Sequence, residues 1–491
     1  MQTMKKANAC VFKKIDFFFL SFIILIALLF RLYKVSIPLA DFHSWRQVDT
    51  AAVARNFVKS GFDLLHPRYD DISASSTGKE NPQGYRLVEF PLYNAIFAYL
   101  YKIMPFLPLE IWGRLTSIFF SLITIGVIYY LSLKEAGRSA AIAASLTYAV
   151  FPFFVFFSRT ILPETTSNSF ALVSIFFLYL FTHHDDVGKN FLFFFLSLIS
   201  FALSLLIKPT AIFYGIVLLS LFLQKYKLSI FKRFSVLFYF LLAVLPLFLW
   251  REHIKLYPEG IPPSEWLITS VNTYLGLKSI FFKPAFFRWI FFERINNLIL
   301  GGYLTFLFLL GVLTKPKSFL FHSFLISSLT YLFAFQGGNV QHEYYQIFIL
   351  PTIAVFIGLG IFFVTKNTKA MISPFLVYPA IAIIFVLSFF FSYYKVRDYY
   401  NYPAELPQIA KIITALTKED DKIVTERMGD TTLLYLADRK GAPSIYQAIT
   451  EYQKAGYRYL VTTTKETIEN LKNEGVYTIV FENDKFAMFK L

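Results

Sequence analysis

The densest polar constellation in the chain follows its first long apolar run: DFHSWRQVDTAAVARNFVKSGFDLLHPRYDD, residues 41–71. Asp41 stands in an extended stretch after Pro38 and has no evident capping duty. A carboxylate fixed at a membrane–water boundary can act as a general base toward an incoming hydroxyl. Asp49 opens the run DTAAVARNF, which reads as a helix capped near Asp49, with Arg55 reaching its polar face. Three further ionisable groups recur at the ends of apolar runs: Glu89 in RLVEFPLYN, Glu164 five residues after Arg159 in SRTILPETTSNSF, and Lys208 before Pro209. Each also has a plain structural role open to it, since a charge at a span end snorkels to water and a lysine there can simply anchor the interface. His253 and His342 stand alone, and no HExxH, CxxC, GxGxxG or Walker-type pattern occurs. Taken together, Asp41, Asp49, Glu89 and Glu164 with Arg46, Arg55, Arg159 and Lys208 form a mixed-sign set suited to a phosphate-bearing donor. Cations or a divalent ion would hold the departing phosphate while a carboxylate deprotonates the acceptor.

The elements that must position these groups are membrane spans. Of 491 residues, 56% are hydrophobic, 20% aromatic and only 16% charged, whereas soluble domains carry about 25% charged residues. A soluble globule, a disordered chain, a coiled coil and a disulfide scaffold are all excluded. Runs such as FFFLSFIILIALLF (17–30) and FLFFFLSLISFALSLLI (191–207) approach the ~20 apolar residues that a span needs. Eleven such segments are expected, near 17–33, 111–132, 139–157, 166–182, 191–207, 210–224, 234–250, 294–313, 318–335, 346–364 and 371–392. The first follows Lys13 and Lys14 as a signal peptide would, but it is long and lacks a small-residue cleavage pattern, so it reads as a retained span.

Charge decides the orientation. With the N-terminus inside, the inner connections contain 49 residues and fifteen Lys/Arg, including KYKLSIFKR at 225–233, while the short outer connections hold only Arg159 and Lys208. This asymmetry is the positive-inside pattern, and it gives the net charge of +15 a topological rather than a nucleic-acid meaning. It also makes PLYNAIFAYLYKIMPFLPL (91–109) an interfacial or re-entrant helix, because counting it as a span would reverse every later loop. All eight candidate groups then fall on one outer face. Three large pieces lie there too: a first loop at about 34–110, an aromatic-basic loop at about 251–293, and a tail from 393. The tail alternates helical AELPQIAKIITALT (404–417), strand-like KIVTE (422–426) and LVTTT (460–464), a helix at 465–473 and strand-like VYTIVFE (476–482), which predicts a small α/β domain. The segment 274–292 mixes Phe and Trp with Lys and Arg, which suits either a lipid head-group surface or a plain aromatic belt. The single cysteine, Cys10, precedes the first span and permits no intramolecular disulfide.

The order of these motifs resembles the membrane-embedded C-type glycosyltransferases that use polyprenyl-phosphate sugars, the group of protein O-mannosyltransferases and the lipid A aminoarabinose transferase. The likeness runs through the helix ending ARNF, EFPLYNAIFAY, GRLTSIFFSLITIGVIYYLSL, SRTILPE, LIKPTA and HEYYQIFILP to the outer C-terminal domain. It implies an aspartate after the first span as catalytic base, Asp41 by position or Asp49 if the match is anchored on Arg55. It further implies Glu89 as a donor or metal contact and Glu164 and Lys208 as donor contacts, and Arg46, Arg55, Arg159 and Tyr345 join them as candidate donor or phosphate contacts; the chemistry is open to proceed with or without a divalent metal, for which Glu89 and His342 are the candidate ligands. Two positions depart from the family pattern: Phe42 follows Asp41 where a glutamate is common, and Phe90 replaces a lysine, leaving Arg86 or Lys208 to serve the phosphate.

The expectation is therefore an α-helical polytopic membrane protein of about eleven spans, N-terminus in and C-terminus out. Residues 1–392 would form the transmembrane glycosyltransferase domain and 393–491 an extracytoplasmic α/β domain. The partners implied are a polyprenyl-phosphate sugar donor, membrane lipid and an acceptor glycan, lipid or protein, with no nucleic acid. A transporter or flippase is the competing class, but transporters concentrate ionisable residues at mid-span, where this chain has almost none.

Overall fold

The computed structural model describes residues 12–184, 186–262, 284–371 and 373–491. Cys10 and the 274–283 part of the aromatic-basic loop lie outside the described residues. The chain is mostly helical. By length and composition eight described helices could cross a membrane, or nine if one bent pair is a single span.

Eight of the eleven expected segments coincide with these helices, and the other three depart for identifiable reasons. Segment 139–157 is broken into Arg138–Val150 and Pro152–Phe157, with Phe151 extended between them (φ −64°, ψ 135°). Pro152 has no N–H to donate and drives the preceding residue out of the helical region. Segment 294–313 is part of a pair, Pro284–Ile299 and Leu304–Leu313, bent by 115°. The bend falls at Gly301 (φ +58°) and Gly302 (φ +83°), a left-handed conformation that glycine adopts without steric cost. Segment 318–335 yields only the helix Leu320–Ala334, about 22 Å at 1.5 Å per residue, and the chain then starts a separate short helix at Gln336–Gln341.

The chain divides into two compact units. The first comprises the described parts of Met1–Val35, Leu115–Leu249 and Trp266–Asp398. Small residues let its helices approach backbone to backbone. A Cβ added at Gly311 would meet the Phe356 carbonyl oxygen at 1.8 Å, and one at Gly360 the Leu307 carbonyl oxygen at 1.9 Å. Such close crossings are how helices associate where lipid removes the hydrophobic driving force. Other faces of this unit carry exposed Phe17, Leu237, Phe238, Phe375 and Phe390, apolar surface that a bilayer would cover.

The second unit comprises Ser36–Arg114, the described part of Trp250–Glu265, and Tyr399–Leu491. Its centre is a five-stranded sheet of β1 (Lys422–Thr425), β2 (Gly441–Ala442), β3 (Tyr457–Thr462), β4 (Thr478–Glu482) and β5 (Ala487–Lys490). The strand order is β2-β1-β3-β5-β4, parallel from β2 to β3 and antiparallel onward. Neighbouring residues point to opposite faces. Ile423, Val461 and Met488 pack with Ile409, Ile413 and Leu434 on one side, and Val424, Leu460 and Phe489 with Tyr452 and Leu471 on the other. The expected helices at 404–417 and 465–473 and the strands at 422–426 and 476–482 are therefore present. Helices Thr432–Ala437 and Ile449–Lys454 and the strand β5 escaped the sequence pattern because they are short.

The first loop joins this sheet at Gly441, whose N–H donates to the Asp70 carbonyl at 2.9 Å and whose carbonyl accepts from Ile72 N–H at 3.0 Å. A Cβ there would lie 1.8 Å from the Ile423 carbonyl oxygen. Gly441→Ala is expected to lower stability by at least about 1–3 kcal/mol, read as a lower unfolding midpoint of the detergent-solubilised protein.

Candidate active site

The helix that follows the first apolar run spans Ser44–Ser60. This corrects the expected cap at Asp49: nothing in SWRQ interrupts a helix, so it begins five residues earlier and places Asp49 in its second turn. The preceding His43 is left-handed (φ +57°), which turns the chain back and lets Gln47 reach Asp41. The Gln47 side-chain amide donates to Asp41 Oδ1 at 2.7 Å and to the Phe42 carbonyl at 3.0 Å. Arg114, in the first turns of helix Leu109–Glu135, places a guanidinium nitrogen 3.6 Å from Asp41 Oδ2 and bonds the Ile37 carbonyl at 2.6 Å. Asp41 is only 3% exposed. It is a buried carboxylate held by the Gln47 amide and facing the Arg114 guanidinium. Next to Gln47, Arg46 forms an ion pair with Glu89, so this helix presents the two candidate acids on consecutive polar contacts.

Asp49 is differently engaged. Arg86 pairs with its Oδ2 at 2.9 Å and the Thr431 hydroxyl donates to its Oδ1 at 2.6 Å. Each Asp49 oxygen thus holds a protein donor, one from the first loop and one from the C-terminal segment, so this side chain ties those two stretches together. Arg55 likewise turns to the C-terminal segment, bonding the Tyr435 carbonyl at 2.7 Å, Asp70 at 2.6 Å and Asp438 at 3.2 Å. Burial works to raise the Asp438 carboxyl, but Arg55 and Lys59 hold it below its ordinary value. Stability from that contact is therefore present above the ordinary carboxylate pKa and lost as pH falls through the depressed folded value. Asp70 is opposite in sign: burial raises it despite Arg55, so its contribution fades as pH rises. Asp438→Asn is expected to flatten the acid limb of the stability profile below about pH 4, measurable by unfolding at a series of pH values.

In the helical unit, Glu164 sits in the first turn of Pro163–His183, where the helix dipole favours a negative charge. Lys208 is extended (φ −151°, ψ 111°) between helix Val187–Ile207 and the turn beginning at Pro209, the conformation a residue before proline prefers. Its ammonium lies 2.7 Å from Glu164 Oε1 and 5.5 Å from the Tyr345 ring centroid. Both side chains are at most 10% exposed, and Glu164 Oε2 is buried with no hydrogen bond among the described residues. The sequence pointed to Arg159 as the neighbour of Glu164. In the structure Glu164 pairs with Lys208, and Arg159, buried, bonds the Lys34 carbonyl at 2.8 Å.

His342 stacks on Tyr344 at 5.2 Å, and His253 bonds the Leu65 carbonyl at 3.1 Å. Among the described residues no group of three or more His, Cys, Asp or Glu is placed to hold a metal ion. Phe90 packs edge-on against Trp250 at 5.2 Å, and Arg86 pairs with Asp49 at 2.9 Å. Two site residues, Gln47 and Arg114, were not singled out from sequence. Arg114 carried a signal, being an ionisable residue in an apolar helix; Gln47 carried none.

Residues 89–250 match the family described as dolichyl-phosphate-mannose-protein mannosyltransferase, in line with the resemblance drawn from the motifs. Among solved structures, ArnT from Cupriavidus metallidurans bound to undecaprenyl phosphate is similar with a TM-score of 0.68 at 14% identity, over 96% of this chain and 97% of that one. The oligosaccharyltransferase AglB from Archaeoglobus fulgidus, in complex with an inhibitory peptide and a dolichol-phosphate, gives 0.59 at 13% identity, over 92% of this chain and 69% of that one. The chain thus has an ArnT-like fold. Comparison with curated proteins gives no match.

Proposed function

We propose that this protein is an inverting glycosyltransferase that moves one hexose or pentose from a polyprenyl-phosphate donor to an acceptor hydroxyl. The observation that carries the reading is the buried Asp41 carboxylate, oriented by Gln47 and Arg114 in a chain of this fold. The acceptor oxygen attacks the anomeric carbon, its proton passes to Asp41, and the bond from that carbon to the phosphate oxygen breaks with its electron pair leaving on the phosphate. Lys208, steadied by Glu164 and flanked by Tyr345, offers a positive charge to that phosphate. Arg46 and Glu89, paired with each other, and Arg159 are also assigned to the donor. Asp49 and Arg55 fasten the first loop.

The same reading places the protein in a prokaryotic cytoplasmic membrane, with eleven crossing segments, the N-terminus inside and the chemistry on the outer face. Residues 1–392 supply the transferase and 393–491 the outer domain that holds the first loop. The charge asymmetry of the connections supports the orientation. The test is the membrane glycolipid profile of a deletion strain. Accumulation of one polyprenyl-phosphate sugar with loss of one glycosylated product supports the reading and identifies both substrates; an unchanged profile contradicts it.

A further inference from the structure

The chemistry above gives no role to the buried cation Arg294 of the helical unit. Arg294, 4% exposed, lies in the π-helical stretch Arg288–Ile299, a rare wide-turn geometry that recurs where function demands it. Its guanidinium bonds the carbonyl of Asn339, that of Val340 at 2.8 Å and that of His342 at 3.3 Å, and reaches Gln346 Oε1 at 3.3 Å and Glu343 at 3.4 Å. These carbonyls lie at the C-terminal end of helix Gln336–Gln341, where a cation satisfies acceptors that the helix leaves without partners. The direction in which the chain leaves that helix decides where Tyr345 comes to rest. Tyr345 follows within the turn Glu343–Ile349, its carbonyl taken by the Tyr331 hydroxyl at 2.9 Å and the next carbonyl but one, that of Ile347, by Asn168 at 2.8 Å.

We infer that Arg294 is a positioning residue for donor binding: it fixes the 339–346 segment so that the Tyr345 ring stays beside the Lys208 ammonium. The inference rests on the reading of Lys208 and Tyr345 as phosphate contacts. Lysine keeps the charge of arginine but cannot span several carbonyls with a planar fork, so Arg294→Lys isolates the geometry from the charge. It is expected to weaken undecaprenyl-phosphate binding by roughly 2- to 30-fold, the usual range for a residue acting through another, and to raise the donor KM with kcat at saturating donor little changed. Gln346→Met, which removes the Gln346 contact to Arg294 and the Gln346 amide bonds to Asn339 at 2.9 and 3.0 Å but leaves the Arg294 bonds to the carbonyls, should weaken binding in the same direction, and it serves where Arg294→Lys folds poorly.

The decisive comparison repeats each substitution in a Tyr345→Ala background, with undecaprenyl phosphate as the probe. If Arg294 acts through Tyr345, the second change adds less than about twofold, as expected of coupled residues. An equal loss in both backgrounds, or a fall in kcat with KM unchanged, overturns the positioning role while leaving the transferase reading intact. Failure of the unsubstituted protein to bind undecaprenyl phosphate overturns both.

Discussion

Asp41→Asn is expected to lower kcat by roughly 10²–10⁴-fold, the contribution of a positioned general base, while the protein still inserts and still binds its lipid donor. Asparagine is nearly isosteric, and its amide oxygen can still accept from Gln47, so the Asp41 pocket should persist. The cost falls on Arg114, which loses its counter-charge 3.6 Å away but retains its 2.6 Å bond to the Ile37 carbonyl. The contrast with Asp49 sharpens the prediction. Its two oxygens are engaged by Arg86 and Thr431, so Asp49→Asn should reduce stability, and activity only in proportion to the folded fraction. Steady-state kinetics beside thermal unfolding of the two variants separates the roles; a kcat loss larger in Asp49→Asn than in Asp41→Asn would reassign the base.

Lys208→Met is expected to have the second largest effect, and on two quantities at once. Loss of a charged hydrogen-bond donor to the phosphate should weaken donor binding by roughly 10- to 100-fold. The same change strands Glu164 without its cation in a site at most 10% exposed, and removing one partner of a buried pair costs about 3–5 kcal/mol. Pairing Lys208→Met with Glu164→Gln removes the stranded charge. The double variant should regain much of the stability and none of the donor affinity. Recovery of donor binding in the double variant would mean that Lys208 serves only to neutralise Glu164.

Much of the helical pattern was legible because long apolar runs report directly on helices able to cross a membrane. What escaped the sequence were local breaks with a backbone cause: the extended Phe151 before Pro152, and the left-handed Gly301–Gly302 pair. Hydropathy averages over such residues and so reads through them. Among the candidate residues, types at run ends drew attention to Asp41, Glu89, Glu164 and Lys208, but not to their partners. Glu164 pairs with Lys208, 44 positions away in the chain, rather than with the nearby Arg159 that the sequence suggested. Asp49 looked like a helix cap because capping residues are common before apolar helices, yet its partner Thr431 is remote in the chain. Arg294 belongs to the same class, since carbonyls as acceptors leave no trace in residue identity.

The central claim is glycosyl transfer from a polyprenyl phosphate with Asp41 as base. Purified protein in liposomes, supplied with undecaprenyl-phosphate carrying a radiolabelled sugar and with an envelope extract as acceptor, tests it most directly. The account predicts that label leaves the lipid for the acceptor with release of undecaprenyl phosphate, and that Asp41→Asn retains the lipid but nearly abolishes the transfer. Label that crosses the bilayer still attached to its lipid, or full transfer by Asp41→Asn, would contradict it.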